Sequence, residues 1–309
     1  MPKTLDVYNL KFEWPDEKMV IEPYVFVPAD GYCDRYKRLQ HLVDVGGGYA
    51  GGTKAITGEH QVTGAVHLPD EAPPPALGWG HESPTALDDI LLLLSIFTGR
   101  KVFALAPDMA DAPIVADSRK YQYSGGVGLS LGKVTRPDES GGTEYALNLS
   151  AGTSAVLERI RSDAWRSTYR DGRFLFTFAA ACPRQILETS FLSCWTTWEH
   201  LFALHHASTM SEKEIENTSA KKKIADILVR YALRKSVPAA HEEKLKALVR
   251  IRNSVAHIGS FPTPHAEEVA DVFIRLTEMV IASVLGLTPS TVFSADERFE
   301  RFLDDRQLV

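Results

Sequence analysis

The segment LKALVRIRNSVAHIGSF, residues 245–261, has the apolar spacing of an amphipathic helix that ends near Gly259. Arg252 lies close to the centre of the apolar stripe on a helical wheel, where the pattern predicts a core residue. A guanidinium that faces apolar neighbours needs a partner, because an unpaired buried charge costs several kcal/mol. The predicted stripe consists of Leu245, Leu248, Val249, Val255 and Ala256.

Three kinds of partner are usual for such an arginine: an internal carboxylate, a subunit interface or an anionic ligand. Arg252 and His257 have ordinary explanations as well. An arginine can extend its charged end to solvent along its apolar stem, and a histidine in a last helical turn interacts favourably with the helix dipole. The segment alone leaves these alternatives open.

The sequence around this segment continues the helical pattern. From Pro183 onward, long helical periods with few glycines predict an all-α domain of antiparallel helices joined by short turns. Trp195 and Trp198, in the first of these helices, are expected to be core or interface aromatics. The predicted helices span residues 184–209, 211–235, 239–258 and 264–286, with a short one in 294–305.

The first half of the chain has the alternation and the β-branched residues that are typical of strands. A single helix is expected among them, with Ser83 or Thr85 as its N-cap and Gly99 at its end. The predicted strands lie within residues 4–14, 19–30, 60–69 and 101–107.

These patterns predict an α+β fold with two domains. The 309 residues are 44% hydrophobic and 24% charged, an ordinary globular composition that can bury two cores. We expect a strand-rich N-terminal domain over residues 1–165 and a C-terminal antiparallel helical bundle over 166–309. The boundary falls within 150–183.

The cysteines and the apolar runs indicate a cytoplasmic protein. Cys33, Cys182 and Cys194 are widely spaced and form no CxxC pair, so neither a disulfide framework nor a cysteine zinc site is expected. The N-terminus has no apolar leader, and the longest apolar run, residues 90–97, is too short to span a bilayer. We therefore expect no membrane partner.

Three further stretches resemble ligand sites but fail on spacing. GGGYAGGTK, residues 46–54, and GGVGLSLGKV, residues 125–134, lack the Gly-Lys-Ser/Thr order of a phosphate-binding loop. In the histidine cluster of residues 199–206, His200 and His205 are five apart, about 140° around a helix, whereas two metal ligands need one face. We expect loops at the glycines, histidines that line a helix end, and neither metal nor cofactor.

The helical half is more basic than the whole chain. Residues 211–260 contain eleven Lys or Arg and six Asp or Glu, a net charge of +5, whereas the chain has a formal net charge of −6. The global charge argues against a protein that coats nucleic acid non-specifically. A local basic face nevertheless suits a polyanionic ligand.

A family resemblance gives the arginine a role. RNSVAH, residues 252–257, has the form Arg-Asn-x-x-x-His and ends the third long helix. It resembles the R-X4-6-H motif of HEPN domains, in which Asn commonly follows the Arg. The helix FLSCWTTWEHLFAL, residues 191–204, is similar to the first HEPN helix of the ApeA-like subgroup, with the acidic Glu199 amid apolar positions. The N-terminal half is more faintly similar to the region that accompanies such domains.

Catalytic HEPN proteins are metal-independent endoribonucleases that act as dimers, with both motifs in one composite cleft. The resemblance implies that Arg252 binds and polarises the scissile phosphate. It implies that His257 acts as general acid or base while the ribose 2′-OH attacks, which leaves a 2′,3′-cyclic phosphate. The side chains suit this chemistry, since Arg is a permanent bidentate cation and His transfers protons near neutrality.

Other residues are expected to assist. Asn253, one helical turn before His257, is placed to hydrogen-bond the imidazole or the phosphate. Glu199 is a supporting residue, although an ion pair with Arg252 would also explain a buried charge without catalysis. The RNA-binding candidates are Arg250 and Lys246.

The spacing of the motif raises a geometric question. On an ideal helix, Arg252 and His257 point about 140° apart. They converge within one chain only if the helix ends or distorts before His257; otherwise residues of a second chain must complete the site. The variable spacing within the family favours the distortion.

The resemblance thus implies a cytoplasmic, homodimeric endoribonuclease of a bacterial anti-phage defence or toxin type. It would act on RNA, with tRNA as a candidate substrate, and would use no cofactor. Two alternatives stay open: a non-catalytic HEPN module that dimerises or binds RNA, and a ligand-binding enzyme centred on the glycine-rich loops of the N-terminal domain.

Overall fold

The structure is a computed structural model, and the chain in it divides into two compact units. The first unit extends to Arg159, and the second contains Ile160–Ala181 and the helices that follow. The residues that the structure describes are 4–12, 16, 18–39, 42–44, 54–56, 61–72, 85–99, 101–107, 123–124, 142–170, 172–181, 187–231, 242–262 and 264–287.

Two antiparallel sheets lie in the first unit. The strands are β1 (Thr4–Tyr8), β2 (Met19–Ile21), β3 (Tyr24–Pro28), β4 (Leu42–Asp44), β5 (Lys54–Ile56), β6 (Val62–His67), β7 (Phe103–Leu105) and β8 (Tyr123–Ser124). The larger sheet has the order β2-β3-β6-β1-β7, and the smaller one has the order β4-β5-β8. The strand-rich first half and the α+β class are therefore confirmed.

The helices outnumber the expected ones. They are α1 (Tyr32–Leu39), α2 (Ala86–Thr98), α3 (Gly142–Arg161), α4 (Asp163–Tyr169), α5 (Arg173–Ala181), α6 (Leu187–His206), α7 (Glu212–Asn217), α8 (Ala220–Arg230), α9 (Glu242–Ile258) and α10 (Pro264–Leu285). The expectation of a single helix in the first half was wrong, since α1 is a second one. None of the described helices combines the length and the apolar composition that a membrane crossing needs.

The helix predicted over residues 211–235 is two helices. Ser211 starts α7 with a capping box to Glu214, and the backbone at Thr218 is extended, which ends that helix. Ser219 is also extended and is the N-cap of α8. The Ser211 hydroxyl accepts a hydrogen bond from the Glu214 amide, whereas Ser219 begins α8 through its extended backbone, without a side-chain capping bond. The expected helix in 294–305 and the glycine-rich stretch 125–134 lie outside the described residues.

Helix α2 confirms the predicted capping signals. Thr85 is the N-cap, with a capping box to Asp88, and Gly99 ends the helix with a left-handed backbone. The side chains from Leu87 to Phe97 are all buried, polar ones included. Such a helix belongs to the interior of its unit rather than to its surface.

A buried asparagine joins three strands of the larger sheet at one end. Asn9 follows β1 and has a positive φ of 64°, which asparagine tolerates better than most residues. Its side-chain amide donates to the carbonyl of Lys101 at 2.8 Å, and its side-chain oxygen accepts from the Gln61 amide at 3.1 Å. One side chain thus fixes the segments that lead into β6 and β7.

Gly64 in β6 is a position where the sheet admits no side chain. A Cβ there would lie 2.7 Å from the Phe12 ring and 2.8 Å from the carbonyl oxygen of Val27. We expect Gly64→Ala to lower the free energy of unfolding by about 1–3 kcal/mol, because the backbone oxygen cannot retreat without breaking the sheet. Denaturant unfolding measures the change. Gly31→Ala has open space around its Cβ but a φ of +69°, so its loss measures backbone strain alone. A stability of Gly64→Ala equal to that of the wild type would contradict the steric argument.

The second unit is built around α6. This helix packs against α4, α5, α8, α9 and α10. Its buried aromatic residues meet α10 at Phe273, whose ring centroid lies 5.4 Å from that of Trp195 and 4.8 Å from that of Trp198. The core and the candidate site of this unit therefore share one helix.

Candidate functional site

The buried face of α9 is turned relative to the predicted stripe. Leu248 and Val255 are buried as expected, but Val249 is only half-buried and Ala256 is exposed. The buried face instead extends to Ile251, because α9 packs against both α6 and α8. Half-buried Arg252 therefore lies at the edge of the buried face, not at its centre.

Arg252 is held by an aromatic ring and an amide. Its guanidinium carbon lies 5.8 Å from the centroid of the Trp195 ring, at cation–π distance. Its Nη1 donates a hydrogen bond to the side-chain oxygen of Asn253 at 3.1 Å. Its Nε is buried and has no hydrogen-bond partner in the described part of the chain. The guanidinium is thus fixed in place with donor capacity to spare.

Glu199 does not pair directly with Arg252. Among the described residues, no carboxylate lies within ion-pair distance of this guanidinium. The Glu199 carboxylate instead accepts a hydrogen bond from Trp195 Nε1 at 3.2 Å. The alternative explanation of Arg252 by an ion pair with Glu199 does not hold; contacts lead instead from the carboxylate through the indole to the guanidinium.

His257 lies on another face of the same helix. Helix α9 is unbroken through Ile258 and ends at Gly259, whose φ is +82°. The distortion expected before His257 does not occur, because the backbone remains helical until this glycine. His257 is exposed, and it points about 140° away from Arg252. A single chain does not bring the two residues together.

The exposed face of α9 carries a polar stripe. Its members occupy about 60° of the helix circumference and follow the spacing i, i+4, i+7, i+11. All four side chains are exposed: Lys246, Arg250, Asn253 and His257. Asn253 belongs to this stripe and also accepts from Arg252, so it links the guanidinium to the stripe.

Sequence reasoning missed the contact between Trp195 and Arg252. We expected a core or interface aromatic, and the residue is indeed buried, but its ring also faces the only arginine on the buried side of α9 that the structure describes. The available signal was the spacing of Trp195 and Glu199, which are one helical turn apart and can hydrogen-bond. A contact between side chains of two different helices, however, cannot be inferred from a single sequence.

The histidine cluster forms a separate polar network at the end of α6. His205 Nε2 lies 2.7 Å from the Tyr231 hydroxyl, which is 3.5 Å from the Tyr169 hydroxyl. His206 Nε2 lies 3.2 Å from an Asp226 oxygen, at ion-pair distance but outside hydrogen-bond geometry. In the part of the chain that the structure describes, no group of three or more such side chains is arranged to hold a metal ion.

This network makes stability depend on pH. Burial, followed by the positive charge of Arg230, lowers the pKa of His205 from 6.5 to about 4. Between these values the unfolded chain binds more protons than the folded one, so stability is full above pH 6.5 and falls as the pH drops to about 4. Because the imidazole is only half-buried, we expect the free energy of unfolding to fall by about 1–2 kcal/mol, which is less than the full pKa shift would imply.

Urea unfolding of the wild type and of His205→Gln across this pH range measures the effect. Other groups titrate in both proteins and cancel in the difference. The wild type should lose more stability than the variant on acidification. If the free energy of unfolding changes equally with pH in the two proteins, protonation of His205 does not cause the loss.

No family model, no curated protein and no solved structure matches the chain. The geometry of the site therefore supplies the structural arguments for function.

Proposed function

We propose that the helical unit is a HEPN-type, metal-independent endoribonuclease that acts as a homodimer on RNA. One observation carries the proposal: Arg252 is a fixed, half-buried cation without a carboxylate partner among the described residues. A guanidinium held in this way favours an anionic ligand, and phosphate matches its planar donor edge. The motif that contains Arg252 adds the resemblance to HEPN domains.

The side chains support phosphodiester transfer. Arg252 would bind the scissile phosphate and stabilise the charge that grows on its oxygens. The ribose 2′-oxygen forms a bond to phosphorus while the bond to the 5′-oxygen breaks, and a proton passes from the 2′-OH to that leaving oxygen. His257 would transfer the proton as general base or acid, in water-accessible surroundings. The products are a 2′,3′-cyclic phosphate and a 5′-OH.

The unbroken helix favours a site that two chains share. Since His257 points away from Arg252 on its own helix, the histidine that completes the site belongs to a second copy in this proposal. Ile258, next to His257, is 75% exposed and gives this end of α9 an apolar side chain for such a contact. Lys246 and Arg250 would hold further phosphates along the exposed face.

Incubation of the purified full chain with tRNA and with total RNA, in the presence of EDTA, tests the proposal. We expect discrete fragments that end in 2′,3′-cyclic phosphate, and the chelator should not reduce their yield. Labelling of the fragment ends identifies this chemistry. A wild-type protein that leaves every RNA intact, with or without divalent ions, would overturn the proposal.

A second candidate is a HEPN module that binds RNA without cutting it. The divergence of Arg252 and His257 within one chain favours it, since a binding surface needs no convergence of the two. This module would bind a fluorescent RNA with an affinity that falls steeply with salt, and would yield no fragments. Binding and cleavage measured on the same preparation separate the two candidates.

A further inference from the structure

We infer that Trp195 is a positioning residue that keeps Arg252 open to an anion, and that Glu199 acts on the arginine only through the Trp195 indole. The inference rests on the proposed function, because it concerns how the same arginine reaches a phosphate. It assigns the two α6 side chains distinct tasks. The indole supports the cation, and the carboxylate orients the indole.

Trp195 is rigidly placed. It is 2% exposed, and its ring centroid lies 6.0 Å from that of Phe191 and 5.4 Å from that of Phe273. Its one polar atom, Nε1, donates to Glu199. Packing on the ring and a hydrogen bond at its edge together fix the orientation of the face that Arg252 contacts.

The contact with an aromatic ring, rather than with a carboxylate, leaves the Arg252 guanidinium able to bind a phosphate. A carboxylate partner would occupy two N–H groups of an arginine in a bidentate pair. An aromatic face attracts the positive charge without accepting from those N–H groups in the guanidinium plane. Asn253 accepts from only one N–H of Nη1, so the other Nη1 N–H and the Nη2 N–H groups remain as donors for a phosphate, whereas Nε is buried.

The position of Glu199 supports an indirect role. Its carboxylate is in hydrogen-bond contact with the indole, whereas no ion pair between it and Arg252 occurs within the described ranges. If Glu199 acts through the indole, an acceptor at this position matters and its charge does not. A direct ion-pair role would require the charge.

Trp198 provides a matched comparison on the same helix. It is also buried, and it also contacts Phe273, but its Nε1 donates to the Thr277 hydroxyl at 2.9 Å. Replacement of either tryptophan by phenylalanine removes an indole N–H from the same aromatic core. Only Trp195→Phe changes the ring that contacts the Arg252 guanidinium.

The test measures binding of a short 2′-O-methyl RNA oligonucleotide, which lacks the attacking hydroxyl and is not cleaved. Relative to the wild-type full chain, Trp195→Phe and Glu199→Ala should each raise Kd about 3- to 10-fold, because the cation–π support weakens or loses its orientation. Glu199→Gln keeps an acceptor for the indole and should stay within about 2-fold, as should Trp198→Phe. Thermal melts check that each variant folds.

Three results would overturn the inference: equal binding by Trp195→Phe and the wild type, equal weakening by Glu199→Gln and Glu199→Ala, or equal weakening by Trp198→Phe and Trp195→Phe. The double variant Trp195→Phe, Glu199→Ala should bind RNA no more weakly than Trp195→Phe alone, because Glu199 acts through the indole. Additive losses of affinity would show that the two residues act independently.

Cleavage of unmodified RNA, measured in parallel, separates this inference from the proposed function. Tight, Trp195-dependent binding without cleavage would support the positioning role and overturn the nuclease. Cleavage that is unaffected by Trp195→Phe would support the nuclease and overturn the positioning role. Absence of both binding and cleavage in the wild type would overturn both.

Discussion

Arg252→Ala should lower kcat/KM for RNA cleavage by about 10²- to 10³-fold, the usual loss when a fixed donor to a developing oxyanion is removed. His257→Ala should lower it by about 10²- to 10⁴-fold, the range for loss of a general acid or base. Neither change should unfold the protein, since His257 is exposed and Arg252 has no ion pair in the described part of the chain to lose. Rates of cleavage of a defined RNA under single-turnover conditions measure both effects.

Two exposed residues of the same types serve as controls. Arg230 pairs with Asp226 on α8, and His200 lies on the exposed side of α6. Arg230→Ala and His200→Ala should leave the cleavage rate within about 2-fold of the wild type, as expected for surface positions outside the site. Equal activity of Arg252→Ala and the wild type would remove the arginine from the mechanism.

The unbroken α9 adds a stricter form of this experiment. A homodimer of Arg252→Ala or of His257→Ala has no intact site. If each site takes its arginine from one chain and its histidine from the other, a mixed dimer of the two variants contains one intact site. After exchange of subunits, about a quarter of the wild-type activity should return, since half of the dimers are mixed and each has one site of two. Failure to recover would place both residues in the same chain's site.

Phe273→Ala should lower the free energy of unfolding of the helical unit by about 3–5 kcal/mol. Phe273 is 1% exposed and contacts Phe191, Trp195 and Trp198 from across the core. Removal of its ring leaves a cavity between α6 and α10 that large, rigid aromatic neighbours cannot readily fill. No other single change proposed for this unit should cost as much stability.

Tryptophan fluorescence during denaturant unfolding measures this loss, because two of the residues that contact Phe273 are tryptophans. Phe273→Leu retains most of the apolar volume and should cost less than about 1.5 kcal/mol. A loss below about 1 kcal/mol for the alanine variant would show that the cluster relaxes around the gap. In that case the cluster could not hold the Trp195 ring in a fixed orientation either.

The parts of the fold that were predictable are those with strong local signals. Thr85 and Gly99 delimit α2 as expected, since a capping hydroxyl and a left-handed glycine are local devices. Strands with a buried and a half-buried face, such as β1, show their alternation in the sequence. The end of α9 at Gly259 follows from the same glycine chemistry.

Elements whose stability comes from packing were missed. Helix α3 contains two glycines and several serine and threonine residues, which lower helix propensity, and no helix was predicted over its segment. The split between α7 and α8 depends on two caps that a continuous charged pattern concealed. Tertiary contacts stabilise a helix of low propensity such as α3, whereas α7 has no buried residue and depends on its local capping box.

The candidate site also has features that the sequence predicts and features that it does not. The motif and its residues were visible in the sequence, and the angle between Arg252 and His257 followed from helix geometry. The turn of the buried face was not predictable, because it depends on packing against α6 and α8 together. The partner of Arg252 was not predictable either, since an aromatic ring and a carboxylate on α6 were equally available to it.

The central place of α6 has a consequence for how this unit opens. The helix contacts five others, and the same helix carries Trp195 and Glu199. An excursion that moves the Trp195 indole itself must therefore also separate helices packed around α6, so its free energy approaches that of unfolding of the helical unit. The polar network at His205 lies at the end of α6, where fraying disturbs fewer neighbours. Cooperativity thus makes the position of the Trp195 ring as persistent as the helical unit itself, while the end of the same helix opens at a lower free energy.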